Sequence, residues 1–193
     1  LAIPLRLAEE GNRGLARTLL DLLADAHEAA EDHLGALTVL RELVRLAEKR
    51  PAPELVARLE RALASARAGS PSLESILGKY QLTSSRRPLD SLEAVERWLE
   101  FELGTVVEVT GQGVGRVTDL NLGLENILVE IPGGRPVSVP FGAVPRYLRR
   151  LEPGDFRHRK VDDPEGLRRF VAENPGEALV ELLQSLDEPA DAS

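Results

Sequence analysis

The stretch from Glu102 to Leu151 constrains this chain most. It is the only part that reads as β-structure, and it reads as a complete small barrel of four to five strands. Val106, Val107 and Val109 predict a first strand, and Val117 and Leu120 a second. Ile127, Leu128, Val129 and Ile131 predict a third, Val137 and Val139 a fourth. Gly111 to Gly115 and Pro132-Gly133-Gly134 supply turns, because Gly and Pro clusters mark where β-branched runs must reverse. A closed or nearly closed barrel fills its interior with alternate strand residues, here Val107, Val117, Leu128 and Val139. So small a barrel has no room for a deep substrate pocket. It offers a strand edge and loops to another macromolecule.

Around this block the apolar period is helical. Leu15, Leu19, Leu22, Leu23 and Ala26 recur at three and four and predict one buried stripe. Leu37, Leu40, Val44 and Ala47 predict a second helix, Leu55, Leu59, Ala62 and Leu63 a third. Gly35 breaks the first pair, and Pro51 and Pro53 separate the second helix from the third. Leu20, Leu23, Ala24, His27, Ala36, Leu40 and Leu43 fit the packing positions of one tetratricopeptide unit, a spacing that also suits any helical hairpin. Ser72 is expected to cap a helix over Leu73 to Tyr80. Asp90 or Ser91 caps Leu92 to Glu100, which carries Val95, Trp98 and Leu99 toward the barrel. Asp163-Pro164 starts a further helix, Asn174-Pro175 interrupts it, and an acidic tail runs from Asp187 to Ser193. The fold class expected is α+β. Residues 1–82 form a helical domain, 83–96 a linker and lead-in helix, 97–151 the small barrel, and 152–193 a C-terminal helical segment and acidic tail.

Composition excludes several function classes. The chain has 193 residues, no Cys, and a formal charge of −8. Disulfides and thiolate metal sites are out, and the surface as a whole is no general nucleic-acid binder. No apolar run approaches the length of a membrane span, so neither membrane nor secretion is expected and a cytoplasmic location is. No Met stands even at position 1, which fits a processed chain or a piece of a longer one. His27 and His33 are spaced off any single helix face; His27 reads as a packed or capping residue, and no metal or other cofactor is expected. Gly111-Gln112-Gly113-Val114-Gly115 joins two strands rather than a strand to a helix, so it lacks the helix start that holds phosphate. Acidic pairs such as Glu9-Glu10 and Asp162-Asp163 read as solvated surface, and no catalytic motif is present. The expectation is a non-enzymatic protein.

One basic exception follows the last strand: Arg146, Arg149, Arg150, Arg157, Arg159 and Lys160, with the aromatics Phe141, Tyr147 and Phe156 interleaved. Such a run suits nucleic acid or an acidic protein surface. An exposed, internally ion-paired loop is the plainer alternative.

Thr105 to Val109, Gly113-Val114-Gly115-Arg116-Val117 and Val137-Ser138-Val139-Pro140 stand in the order seen in the Tudor-like RNA polymerase-interacting domain of the CarD and transcription-repair coupling factor families, which they resemble. Over a longer span, Trp98 to Gly104, Leu148 to Leu151, Asp162 to Leu167 and Asn174-Pro175 resemble the N-terminal extension, with its Tudor- or KOW-like barrel, of long GreA-type bacterial elongation factors. No coiled-coil finger with an acidic tip is recognisable, so transcript cleavage is not implied. The resemblance implies a transcription-elongation protein that docks on bacterial RNA polymerase through an edge of the barrel. The contacts expected are Arg116 and Arg135 in the hairpins, Phe141 beside the last strand, and Arg146, Arg149 and Arg150 after it. The Arg146 to Lys160 region is the expected nucleic-acid contact. The rival readings are an RNA- or ribosome-binding module and the regulatory part of a larger GreA-like factor.

Overall fold

The structure, a computed structural model, describes residues 1–47 and 50–187, with side chains through Ser185. The acidic tail expected beyond Asp187 lies outside the described residues. The chain is α+β and forms two compact units, Leu1–Leu99 and the part from Glu100 onward.

The first unit is a run of helices: α1 (Ala2–Glu9), α2 (Arg13–Ala29), α3 (His33–Arg45), α4 (Pro53–Ala66), α5 (Leu73–Tyr80) and α6 (Pro88–Glu100). A 3₁₀ turn, Leu82–Ser84, precedes α6 and packs on α4. Short connections make α1 to α4 successive packed neighbours. From α3 the core takes Leu37, Leu40, Leu43 and Val44, and from α4 Leu59, Ala62 and Leu63.

The stripe expected to be buried on α2 is largely exposed. Leu15 is 54 % and Leu22 60 % exposed, Ala26 is exposed, and only Leu19 and Leu23 are half covered. The buried phase is Ala16, Leu20 and Ala24. Both phases have helical period, and the neighbours packed on α2, α1 and α3, decide which of them is covered. Gly35 does not break the hairpin either. The chain reverses at Ala30–Asp32, where Glu31 takes φ +55°, and Gly35 sits inside α3. Asp32 caps α3 by accepting from the Gly35 N–H at 2.9 Å, while its other oxygen lies 2.8 Å from His27 Nδ1. A Cβ on Gly35 would fall 2.3 Å from both Asp32 Oδ2 and His27 Nδ1. The Gly35 amide and then His27 hold the Asp32 carboxyl below its ordinary value.

Further along, Ser72 stands at the N-cap position of α5 but makes no side-chain cap bond, and its Oγ is buried without a partner. Helix α6 starts at Pro88, ahead of the Asp90 or Ser91 cap expected, because proline is tolerated in a first helical turn. Trp98 is fully buried and donates its indole N–H to Tyr80 Oη at 2.8 Å. Arg41 bonds Glu96, so α6 is tied to the helical unit twice over. Tyr80→Phe should therefore destabilise the protein by about 1–2 kcal/mol in denaturant unfolding, since a buried donor loses its acceptor.

In the second unit β1 (Val106–Val109), β2 (Gly113–Asn121), β3 (Asn126–Glu130), β4 (Val137–Pro140) and β5 (Leu148–Arg150) form one antiparallel sheet, in the order β4-β3-β2-β1-β5. A 3₁₀ turn (Phe141–Ala143) and α7 (Val144–Tyr147) carry the chain from β4 to β5. Then α8 (Phe156–Asp162), α9 (Pro164–Glu173) and α10 (Pro175–Asp187) follow. Asp163 caps α9 as expected, accepting from the Gly166 N–H at 2.8 Å.

The sheet is five-stranded but not a closed barrel: β4 and β5 remain its edges. Closure needs long, tilted, staggered strands. Here β4 has four residues and β5 three, and a helical turn fills the step between them. One register shift between Val117 and Asp119 bends β2. Val107, Val117 and Val139 are buried as expected; Leu128 is only half buried. The run Ile127-Leu128-Val129 is apolar throughout, so its composition does not show the phase. The register sets Ile127 opposite Val139 and Val129 opposite Val117, and Leu128 points to the other face.

Candidate functional site

The six expected contact residues divide into those the fold already uses and those it leaves outward. Arg149 is used. The β1–β5 register sets it opposite Glu108, and its Nη2 donates to Glu108 Oε2 at 2.9 Å. Arg157, from α8, donates to the same oxygen at 3.1 Å and to both oxygens of Asp155 at 3.1 and 2.6 Å. Asp155 also caps α8, accepting from the Arg157 backbone N–H at 2.7 Å. Two guanidiniums and two carboxylates thus alternate, and they dock α8 on the sheet. Burial pushes the Asp155 carboxyl up, but the bonds from Arg157 and the charges of Arg157 and Arg149 outweigh it and hold the group below its ordinary value.

Arg116 is used as well. It donates to the Gly104 carbonyl at 2.9 Å and to Asp162 Oδ1 at 2.8 Å, joining β2 to the end of α8. That hydrogen bond is the main reason the Asp162 carboxyl lies below its ordinary value. Arg150 lies 3.7 Å from Glu152, and Arg159 bonds Glu181 at 2.9 Å. The basic run is therefore mostly ion-paired within the unit, and half of it is helix α8 rather than loop.

Arg135 and Arg146 remain outward. Both are exposed, and among the described residues neither has a carboxylate within salt-bridge distance. Arg135 lies in the β3–β4 turn. Arg146 lies over the Tyr147 ring at 5.6 Å, next to the β1–β2 turn, where the Thr110 N–H donates to the Tyr147 carbonyl. The antiparallel register puts both turns at the same end of the sheet.

The opposite end carries two apolar side chains beside the exposed Glu125. The β2–β3 turn lifts Leu124 to 74 % exposure. The Phe141 N–H donates to the Glu125 carbonyl at 2.7 Å, so half-buried Phe141 is held beside that turn at the end of β4. β4 itself is an open edge, preceded by Pro136 and ending at Pro140, which keep it short. Sequence reasoning misses Leu124 and the Glu108–Arg157 link. The first is a lone Leu in a polar turn, and the second joins positions far apart in sequence.

A cavity of about 340 Å³ lies between β5, the following loop and α10, lined by Arg149, Glu152, Asp155, Phe156, Glu181 and Gln184 among others. Its charges are mixed: Arg150 faces Glu152, while Arg149, Asp155 and Glu181 are paired with Glu108, Arg157 and Arg159 outside the lining. Among the described residues no group of three His, Asp or Glu is placed to hold a metal ion, and no helix is long and apolar enough to cross a membrane. No family model, no curated protein and no solved structure matches this chain.

Proposed function

We propose that this chain is a non-enzymatic transcription protein that docks on bacterial RNA polymerase through the β4 edge of its sheet. The observation that carries the reading is the open edge itself. β4 is paired on one side only, and Phe141 and exposed Leu124 stand together at its end. An extended segment added there gains main-chain hydrogen bonds, while the apolar end supplies a small hot spot. The segments that resemble polymerase-interacting domains fall on β1, β2 and β4 of this one sheet. We read the sheet as a Tudor-like barrel left partly open. We read the α2–α3 hairpin as tetratricopeptide-like: Leu20, Ala24, Ala36, Leu40 and Leu43 are buried, with Leu23 and His27 half covered.

The test is binding to purified bacterial core RNA polymerase. Leu124→Asp combined with Phe141→Ala should weaken the complex at least tenfold without lowering the melting temperature. Arg135→Ala with Arg146→Ala should mainly slow association at low salt, because outlying charges steer encounter more than they set affinity. A wild-type chain that ignores polymerase but pellets with ribosomes, or shifts RNA, would replace this reading with the RNA-binding one.

A further inference from the structure

The exposed face of α2 carries a regular apolar pattern. Leu15, Leu19, Leu22, Ala26 and Ala29 follow one another at intervals of four, three, four and three. That is the spacing of a coiled-coil seam, in which apolar residues return every 3.5 positions. This seam points away from the first unit's own core, which takes Ala16, Leu20 and Ala24 from the opposite side of the helix. Leu15 and Leu22 keep over half their surface, and Ala26 and Ala29 are exposed. The seam holds no charged residue.

We infer that the occupant of this seam is α2 of a second copy, antiparallel, on a two-fold axis at Leu22. The argument is steric self-complementarity. With Leu22 facing Leu22 across the axis, Leu15 of each copy meets Ala29 of the other, and Leu19 comes within one residue of Ala26. Large side chains then face small ones on either side of the central Leu22 pair, which is how two helices close without gaps or clashes. A parallel pair would set Leu15 on Leu15 and Ala29 on Ala29, leaving one end crowded and the other empty. The acids flanking the seam do not bar the second copy. Asp21, Asp25 and Glu28 are turned toward α4, where Arg58 binds them at 3.3, 2.6 and 2.8 Å.

Size sets the strength. Helix α2 has 17 residues, a length of about 25 Å. One helix pair of that length buries roughly 1,000 Å² in total, the low end of specific interfaces. The dimer is therefore weak and concentration-dependent. The chain carries a net charge of −8, so salt should strengthen the pairing by screening repulsion, the reverse of an ion-paired interface.

Sedimentation velocity over a micromolar-to-millimolar series should show a monomer–dimer equilibrium that shifts toward dimer as salt rises. Leu22→Glu and Leu22→Lys should each be monomeric with unchanged melting temperature, and mixing the two should restore a heterodimer. The chain has no Cys, so introduced thiols report alone. Leu22→Cys should cross-link to itself. Leu15→Cys should cross-link to Ala29→Cys and not to itself. A wild type monomeric at every concentration overturns the proposal, as does a dimer that Leu22→Glu leaves intact. Self-cross-linking of Leu15→Cys overturns the antiparallel arrangement.

Discussion

Gly115→Ala should cost the β unit about 3 kcal/mol, at the upper end of what one extra methyl group does in a well-packed interior. Gly115 is buried in β2, paired with Val107 of β1. A Cβ there would lie 2.4 Å from the Glu130 carbonyl oxygen and 2.8 Å from Val129 Cγ1. The first contact is with backbone, so no rotamer change relieves it. β3 must move away from β2, and Glu130 and Val129 are the β3 residues that pair with Arg116 and Val117. Gly142→Ala is the control: an added Cβ there meets nothing within 4 Å, at ordinary φ. It should change stability by less than about 0.5 kcal/mol. Denaturant unfolding followed by far-UV circular dichroism gives both values. Equal stability of the two variants would mean that the β2–β3 approach at Gly115 is not tight.

Gly115 also marks how far sequence carries the fold. Its turn-like surroundings, Gly111 to Gly115, point to a hairpin, and β1 and β2 form one. The turn itself is shorter, Thr110-Gly111-Gln112, and Gly113 and Gly115 already belong to β2. Strand existence is legible because β-branched runs are bounded by Gly and Pro. Strand phase is not: in Ile127-Leu128-Val129 every residue is apolar, and only pairing with β2 and β4 selects which two face inward. β5 is hidden because Leu148-Arg149-Arg150 has one apolar residue, and it owes its place to pairing with β1. The α2 stripe fails in the same way as Leu128, since two apolar phases share one helix and neighbours decide between them.

The site is less legible than the fold, for a reason of range. A run of arginines announces positive charge but not its partners. Glu108 precedes Arg149 by 41 positions, and Asp162 follows Arg116 by 46. Nothing local in the sequence links them. Arg116, Arg149 and, more loosely, Arg150 are therefore committed within the unit. The outward groups left for the proposed docking are Arg135, Arg146 and Leu124, with half-buried Phe141 beside Leu124's turn.

Arg157→Ala should destabilise the second unit by about 2–3 kcal/mol, the cost of leaving mostly covered carboxylates without their cation. The Arg157 side chain is 14 % exposed and that of Asp155 9 %, so water replaces little of what is lost. Two further variants separate the contributions. Arg149→Ala removes a more exposed partner of Glu108 and should cost about 1 kcal/mol. Asp155→Asn keeps an oxygen to cap α8 but loses the charge. In a double-mutant cycle Asp155→Asn and Arg157→Ala should couple by at least about 1 kcal/mol, because they touch directly. The pH dependence follows from the direction of the Asp155 shift. Its carboxyl titrates lower in the folded chain than in the unfolded one. The unfolded state therefore takes up the proton first as pH falls, and stability drops through the acid range until the folded carboxyl is protonated too. Above the ordinary Asp value of 3.8 the full contribution is present. Stability measured from neutral pH down into that range should thus fall less steeply in Asp155→Asn than in wild type. An unchanged acid slope, or an Arg157→Ala variant as stable as the parent, would mean that α8 is held on the sheet by apolar contact and not by this network.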